Sequence, residues 1–154
     1  MGAGGAVHME KFPPVAAVTA MGPLGIVHLP RMWAKALQHA TGHLNDDYIV
    51  GCGLDRAVSG ALGIDMQEAL SYIQTAKPTY HEFEAWVVAR CGGTVGPDKV
   101  HAANEAILGI TFDAQMAKEF RAELGLPQES KLDGAANLDT LDDWLQFHRW
   151  MTAS

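Results

Sequence analysis

Residues 22–65, GPLGIVHLPRMWAKALQHATGHLNDDYIVGCGLDRAVSGALGID, decide the fold and carry most of the unusual chemistry of the chain. Pro30 has a fixed φ and no N–H, which suits the first turn of a helix, and Gly42 supplies a stop about three turns later, so the spacing predicts a helix over 30–41. On a helical wheel Leu29, Trp33, Ala36, Leu37, Ala40 and Leu44 form one apolar stripe that faces a core. Met32, His39 and His43 follow one border of that stripe, with Lys35 a little further round, where a buried face meets solvent or a cavity. The polar turn Asn45-Asp46-Asp47 leads into a short extended piece, Tyr48-Ile49-Val50, and then to a cysteine flanked by glycines, Cys52. A short helix over 54–62, with Val58 and Leu62 inward, stops at Gly63.

The rest of the chain reads helical as well. Asp65 and Glu68 have the spacing of a capping box for a helix ending near Ala76, and Thr79 and Glu82 repeat it ahead of Phe83, Trp86, Val87 and Arg90. Pro97 and Asp98 open a further helix with Val100, Ala103 and Ile107 inward; Thr111 or Phe112 opens the next, where Met116, Phe120 and Leu124 share a face. After a polar loop over 126–137, Thr140 with Asp143 opens the last helix, which carries Leu141, Trp144, Leu145, Phe147 and His148. The expected fold is an all-α, compact single-domain bundle of about seven helices, with one short extended segment at Tyr48-Val50 and a core containing Trp33, Phe83, Trp86, Phe112, Phe120 and Trp144. Residues 1–20 read as a flexible N-terminal arm and 21–154 as the domain, with His8, Met9 and Phe12 able to dock onto the body or onto a second copy.

A chain of 154 residues that is 48% apolar can bury a core without metal or disulfide staples. The net charge of −7 argues against a nucleic-acid partner, because phosphate-backbone binding rests on clustered Lys and Arg, and the only basic concentration is around Arg31 and Lys35. Cys52 and Cys91 are too few and too far apart for a metal knuckle or a redox pair, which fits a reduced, cytoplasmic setting. The stretch 13–29 is fairly apolar but is broken by Pro13, Pro14 and Pro23 and lacks a basic start, so neither a membrane span nor a leader is expected.

The run Leu29-Pro30-Arg31-Met32, then Lys35-Ala36, Gly42, Tyr48, Cys52, Leu54-Asp55-Arg56 and Leu62-Gly63-Ile64, resembles the bacterial domain-of-unknown-function family 5069, whose pattern reads roughly LPRM, KAR, G, Y, CPLDR, LGI. The Trp86 segment and the closing LDTLDDWL extend the likeness over about residues 22–148. Leu37 stands where that pattern has a second basic residue, and Gly53 where it has proline. The resemblance implies one folded unit with a shared polar cluster, and no particular activity.

Several constellations in this stretch have chemical readings beside structural ones. His39 and His43, four apart, have the spacing of a two-histidine metal site, but Ala40-Thr41-Gly42 between them holds no catalytic Glu, and a boundary pair with no metal competes with that reading. Arg31, Lys35, Asp55 and Arg56 suit a site in which Asp55 pairs with Arg31 or Lys35 and Arg56 is left to grip a carboxylate or phenolate; an ion pair that fixes the docking of two helices explains the same residues. Tyr48 is a candidate acid or hydrogen-bond donor, and Cys52 is either a nucleophile at a helix start or a small apolar filler. His28, just before the Leu29-Pro30-Arg31 run, is a candidate general base if the glycine loop turns it back toward Arg31 and Tyr48.

The reading that gathers these residues is a small cofactor-independent enzyme of the lyase or isomerase type, acting on a small anionic or aromatic substrate in an apolar pocket. His28, Tyr48, Lys35, Asp55 and His39 are its candidate catalytic residues, and Arg31, Arg56, Met32, Trp33 and Cys52 its candidate substrate contacts. The alternatives are a non-catalytic ligand-binding or oligomeric module, with a homodimer in view because of Trp144, Phe147, Trp150 and Met151, and a mononuclear metal protein using His39 and His43.

Overall fold

The first helix, α1 (Leu29–Ala40), begins one residue before Pro30 and ends as expected ahead of Gly42, whose φ of 82° lies in the left-handed region that glycine adopts without strain. The computed structural model describes residues 10–153, and among them six more helices follow: α2 (Gly53–Leu62), α3 (Met66–Ala76), α4 (Tyr80–Arg90), α5 (Pro97–Leu108), α6 (Ala114–Glu123) and α7 (Ala135–Thr152). The all-α expectation holds: only two isolated bridges occur among the described residues, Phe12 with Leu44 and Thr111 with Gly134. Tyr48-Ile49-Val50 joins neither of them.

The caps explain where the helices start. Thr79 accepts from the Glu82 N–H while Glu82 accepts from the Thr79 N–H, the reciprocal box its spacing predicted. Asp65 caps α3 from one side only, accepting from Gln67 and Glu68, and Asp113 rather than Thr111 or Phe112 caps α6. Helix α2 packs most extensively against α5, and α1 against α3. The core between them is aliphatic around one ring: Phe83 is fully buried among Leu29, Met32, Val58, Leu62, Ile73, Val87 and Ile107. Trp33 and Trp86 flank it half-buried, Phe112 and Phe120 pair with each other at 5.7 Å, and Trp144 stands 63% exposed rather than in the core.

Helix α1 departs from the simple amphipathic picture. Its buried residues include Arg31, Lys35 and Gln38 beside Leu29, Met32 and Ala36, because α7 and the segment before α1 cover a second flank. The expected arm falls in part on residues 1–9, which lie outside the described residues. From Phe12 onward the chain is docked: the Phe12 N–H donates to the His43 carbonyl, the Gln38 amide donates to the Phe12 and Pro13 carbonyls and accepts from the Val15 N–H, and Val18 is fully buried. Every polar atom of the buried Gln38 side chain thus has a partner, as burial demands.

The last helix starts five residues before the expected Thr140. The chain at 110–112 pairs with 133–135, the Phe112 N–H donating to the Asp133 carbonyl and the Ala135 N–H to the Ile110 carbonyl, and this satisfies a backbone donor at the helix start. Thr140 is interior, its hydroxyl donating to the Ala136 carbonyl. Asp139, Asp142 and Asp143 therefore sit at helical spacing on one face of α7 rather than at its cap. None of the helices described is long and apolar enough to cross a membrane.

Candidate functional site

Asn104 on α5 accepts from the Val27 N–H and donates to the Gly25 carbonyl, which fixes the glycine loop ahead of α1. The loop delivers His28 as the residue before the helix, with φ 68°, a left-handed conformation that costs a non-glycine residue on the order of 1 kcal/mol. It persists because the His28 N–H donates to the Val18 carbonyl at 2.7 Å and its ring is anchored at Nε2, 2.6 Å from Asp55 Oδ1. Both side chains are fully buried.

Asp55 is held to its post from three sides. Its Oδ2 accepts from the Gly51 N–H at 2.8 Å and the Cys52 N–H at 3.3 Å, and Lys35 Nζ lies 3.2 Å away. Burial by itself raises a carboxyl; the bond from His28 and the charge of Lys35 outweigh it, so Asp55 stays below the ordinary carboxylate range. Burial has the upper hand at His28 and pushes the imidazole below its ordinary value, against the bond to Asp55. An ionised carboxylate can only accept, so the proton of the neutral ring is assigned to Nε2. Nδ1 is then an unprotonated lone pair, buried and without a partner.

Lys35 spends its ammonium on three neighbours: the Ile49 carbonyl at 3.0 Å, Cys52 Sγ at 3.1 Å and Asp55 Oδ2 at 3.2 Å. Cys52, half-buried, is the residue before α2. A ring nitrogen of His28, the sulfur of Cys52 and an oxygen of Asp55 lie within 4.8 Å of one another, the one grouping of metal-ligand type among the described residues. The Lys35 ammonium already sits against two of those donors, supplying the positive charge that a metal ion would bring.

Arg31 takes the other direction. Its guanidinium grips Asp143 through two bonds of 2.6 and 3.0 Å and gives a third to the Ala16 carbonyl. Tyr48 donates to the same Asp143 carboxylate at 2.8 Å and lies under the Arg31 cation at 5.7 Å. Burial first, then the charge and the bond of Asp143, push the Tyr48 phenol above its ordinary value, so it remains a donor. Asp139, a turn before Asp143, has no such donor. Burial and the neighbouring Asp143 and Asp142 outweigh Arg31 and Lys35, and its carboxyl is raised to about 6.

These groups meet at a cavity of about 380 Å³ between the start of α1, the loop before α2, residues 110–112 and α7. His28, Arg31, Lys35, Tyr48, Cys52 and Asp139 contribute polar wall, and Ile49, Leu54, Ile110, Phe112 and Ala135 the apolar part. A few polar groups set in a hydrocarbon wall are the usual make-up of a small-molecule pocket, and this volume is near the small end of the range.

Of the residues singled out in the sequence, His28, Arg31, Lys35, Tyr48 and Cys52 line this cavity, with Asp55 directly behind His28. The rest stand elsewhere. Met32 is in the core with its sulfur 3.9 Å from the Ser59 hydroxyl, and Trp33 donates to the Pro78 carbonyl. Arg56 and His39 are exposed and line a different depression. His43 follows Gly42, off the helix, and donates Nδ1–H to the Glu10 carbonyl, so the two histidines do not share a continuous helical face. Asp139 and Asp143 were not among the candidates. Their signal is present in the closing LDTLDDWL, where the spacing of Thr140 and Asp143 reads as a helix cap and Asp139 as one more polar residue.

No protein-family model matches the chain, and no curated protein is significantly similar to it. The likeness to family 5069 therefore rests on the motif residues alone.

Proposed function

We propose that this chain is a small, cofactor-independent enzyme of the lyase or isomerase class, acting in the cytoplasm, which moves a proton on a small aromatic or apolar carbonyl compound held in the 380 Å³ cavity. One observation carries the reading: a buried imidazole, oriented by Asp55, keeps an unpaired nitrogen on a residue that lines the cavity. A positioned lone pair of this kind is what a general base needs. Asp139, raised to about 6, exchanges a proton near neutral pH and is the matching acid. Tyr48, its single O–H given to Asp143, and Arg31, gripping the same carboxylate, hold that wall of the cavity in place. Asp47, Asp139 and Asp142 all line the cavity, so within the expected substrate range the aromatic or apolar side is favoured over the anionic. The motif run from Leu29 to Ile64 is proposed, on the same footing, to mark a family sharing this cluster.

The test is deuterium exchange in D2O, followed by proton NMR over a panel of small enolisable ketones, aldehydes and aromatic keto acids. The expected result is stereospecific exchange into at least one compound, lost in both His28→Asn and Asp139→Asn. Exchange that survives both substitutions, or none across the panel, removes the reading.

A second reading, a self-associating module, draws on the apolar side chains left exposed near the C-terminus: Trp144 at 63%, Phe147 at 50% and Met151 at 53%.

A further inference from the structure

The proton-transfer scheme leaves Cys52, a free cysteine that lines the cavity, without a task. We infer that Cys52 is a nucleophile that adds reversibly to α,β-unsaturated carbonyl compounds in the cavity, with His28 accepting the thiol proton and Lys35 holding the sulfur. This deepens the reading above by naming the electrophile and rests on it for the role of the cavity.

The placement supports each part. Cys52 lines the cavity and directly precedes α2. Lys35 donates to Sγ at 3.1 Å, and His28, within 4.8 Å of Sγ through a ring nitrogen, has Nδ1 free. The Asp55 that orients His28 belongs to the same turn of α2, so nucleophile, base and orienting carboxylate are gathered at one helix start, with His28 Nδ1 not bonded to Sγ until substrate enters. The charged groups around the sulfur are Lys35, His28 and Asp55 at close range, with Asp47, Asp139 and Asp142 on the cavity wall. Cys91 is an internal control: equally half-buried, it lies outside the cavity and gives its S–H to the Leu62 carbonyl.

The step balances without a further reactant. The S–H proton passes to His28 Nδ1, sulfur forms a C–S bond to the β-carbon, and the alkene electron pair moves toward the carbonyl. The resulting enolate takes its proton from the Asp139 carboxyl. Reversal after rotation about the former double bond returns the alkene in the other geometry, which is an isomerase reaction.

N-ethylmaleimide, itself a conjugated carbonyl compound, is the probe, and adducts at Cys52 and Cys91 are timed by peptide mass spectrometry in the full chain. At pH 6 the folded Cys52 is expected to react at least about tenfold faster than the same cysteine in the guanidinium-unfolded chain. Accessibility cannot produce that result, since unfolding only exposes a thiol further. A folded rate equal to or below the unfolded one overturns the proposal. Lys35→Met, checked for fold by circular dichroism, is expected to bring the Cys52 rate down to the unfolded value; an unchanged rate overturns the role given to Lys35. The two readings fail separately. Deuterium exchange with an unreactive Cys52 leaves proton transfer and removes the covalent step, whereas a fast Cys52 without exchange does the reverse.

Discussion

Replacing Asp139 with Asn tests the electrostatics of the cavity through stability alone, with no substrate needed. In the fold the Asp139 carboxyl is raised from 3.8 to about 6, chiefly by burial, with Asp143 and Asp142 adding and Arg31 and Lys35 opposing. Between those two values the folded chain holds a proton that the unfolded chain has released, so stability falls as pH rises through the window. A shift of about two pH units corresponds to roughly 3 kcal/mol above pH 7, an upper figure because water in the cavity screens the charge. Asn is neutral throughout and lacks this penalty. Urea denaturation from pH 3.5 to 8 should show Asp139→Asn matching the parent at the acid end and exceeding it by about 2–3 kcal/mol at pH 7.5. His28 and Asp55 act in the opposite sense. Their lowered values mean that stability is lost as pH falls, below 6.5 for His28 and below 3.8 for Asp55, and both contributions cancel in the difference between the two proteins. A difference that does not change with pH, or an Asn variant less stable at pH 7.5, refutes the assignment of a half-buried, proton-binding Asp139.

Arg31 and Asp143 form a buried pair, and removing one charge strands the other. Arg31→Met and Asp143→Leu should each cost about 3–5 kcal/mol in denaturation, while the double variant recovers most of the loss; simple additivity of the two would refute the pairing. The self-associating module is tested by light scattering on a sizing column: Trp144→Ser with Phe147→Ser should convert a dimer to a monomer, and a parent chain that is monomeric at every concentration removes that reading.

Local rules account for much of this molecule. Pro30 and Gly42 bound α1, the reciprocal Thr79 and Glu82 cap starts α4, and Gly63 stops α2, since each depends on the residue's own backbone freedom or on partners three residues away. The cluster His28, Arg31, Lys35, Tyr48, Cys52 and Asp55 was also legible, because so many titratable side chains around one glycine-punctuated stretch are unusual. Only the tertiary structure decided how they pair. Asp55 had both Arg31 and Lys35 within reach on paper; the left-handed turn at His28 brings the imidazole onto Asp55, and α7, starting at Ala135, brings Asp143 onto Arg31 from 112 residues away. Such partners are separated too widely for any helical or strand period to reveal, and a helix start set by pairing between 110–112 and 133–135 leaves no mark in the local pattern. The charges on α1 are buried for the same reason: a wheel gives the direction of a side chain, but what lies opposite it depends on how the whole chain packs.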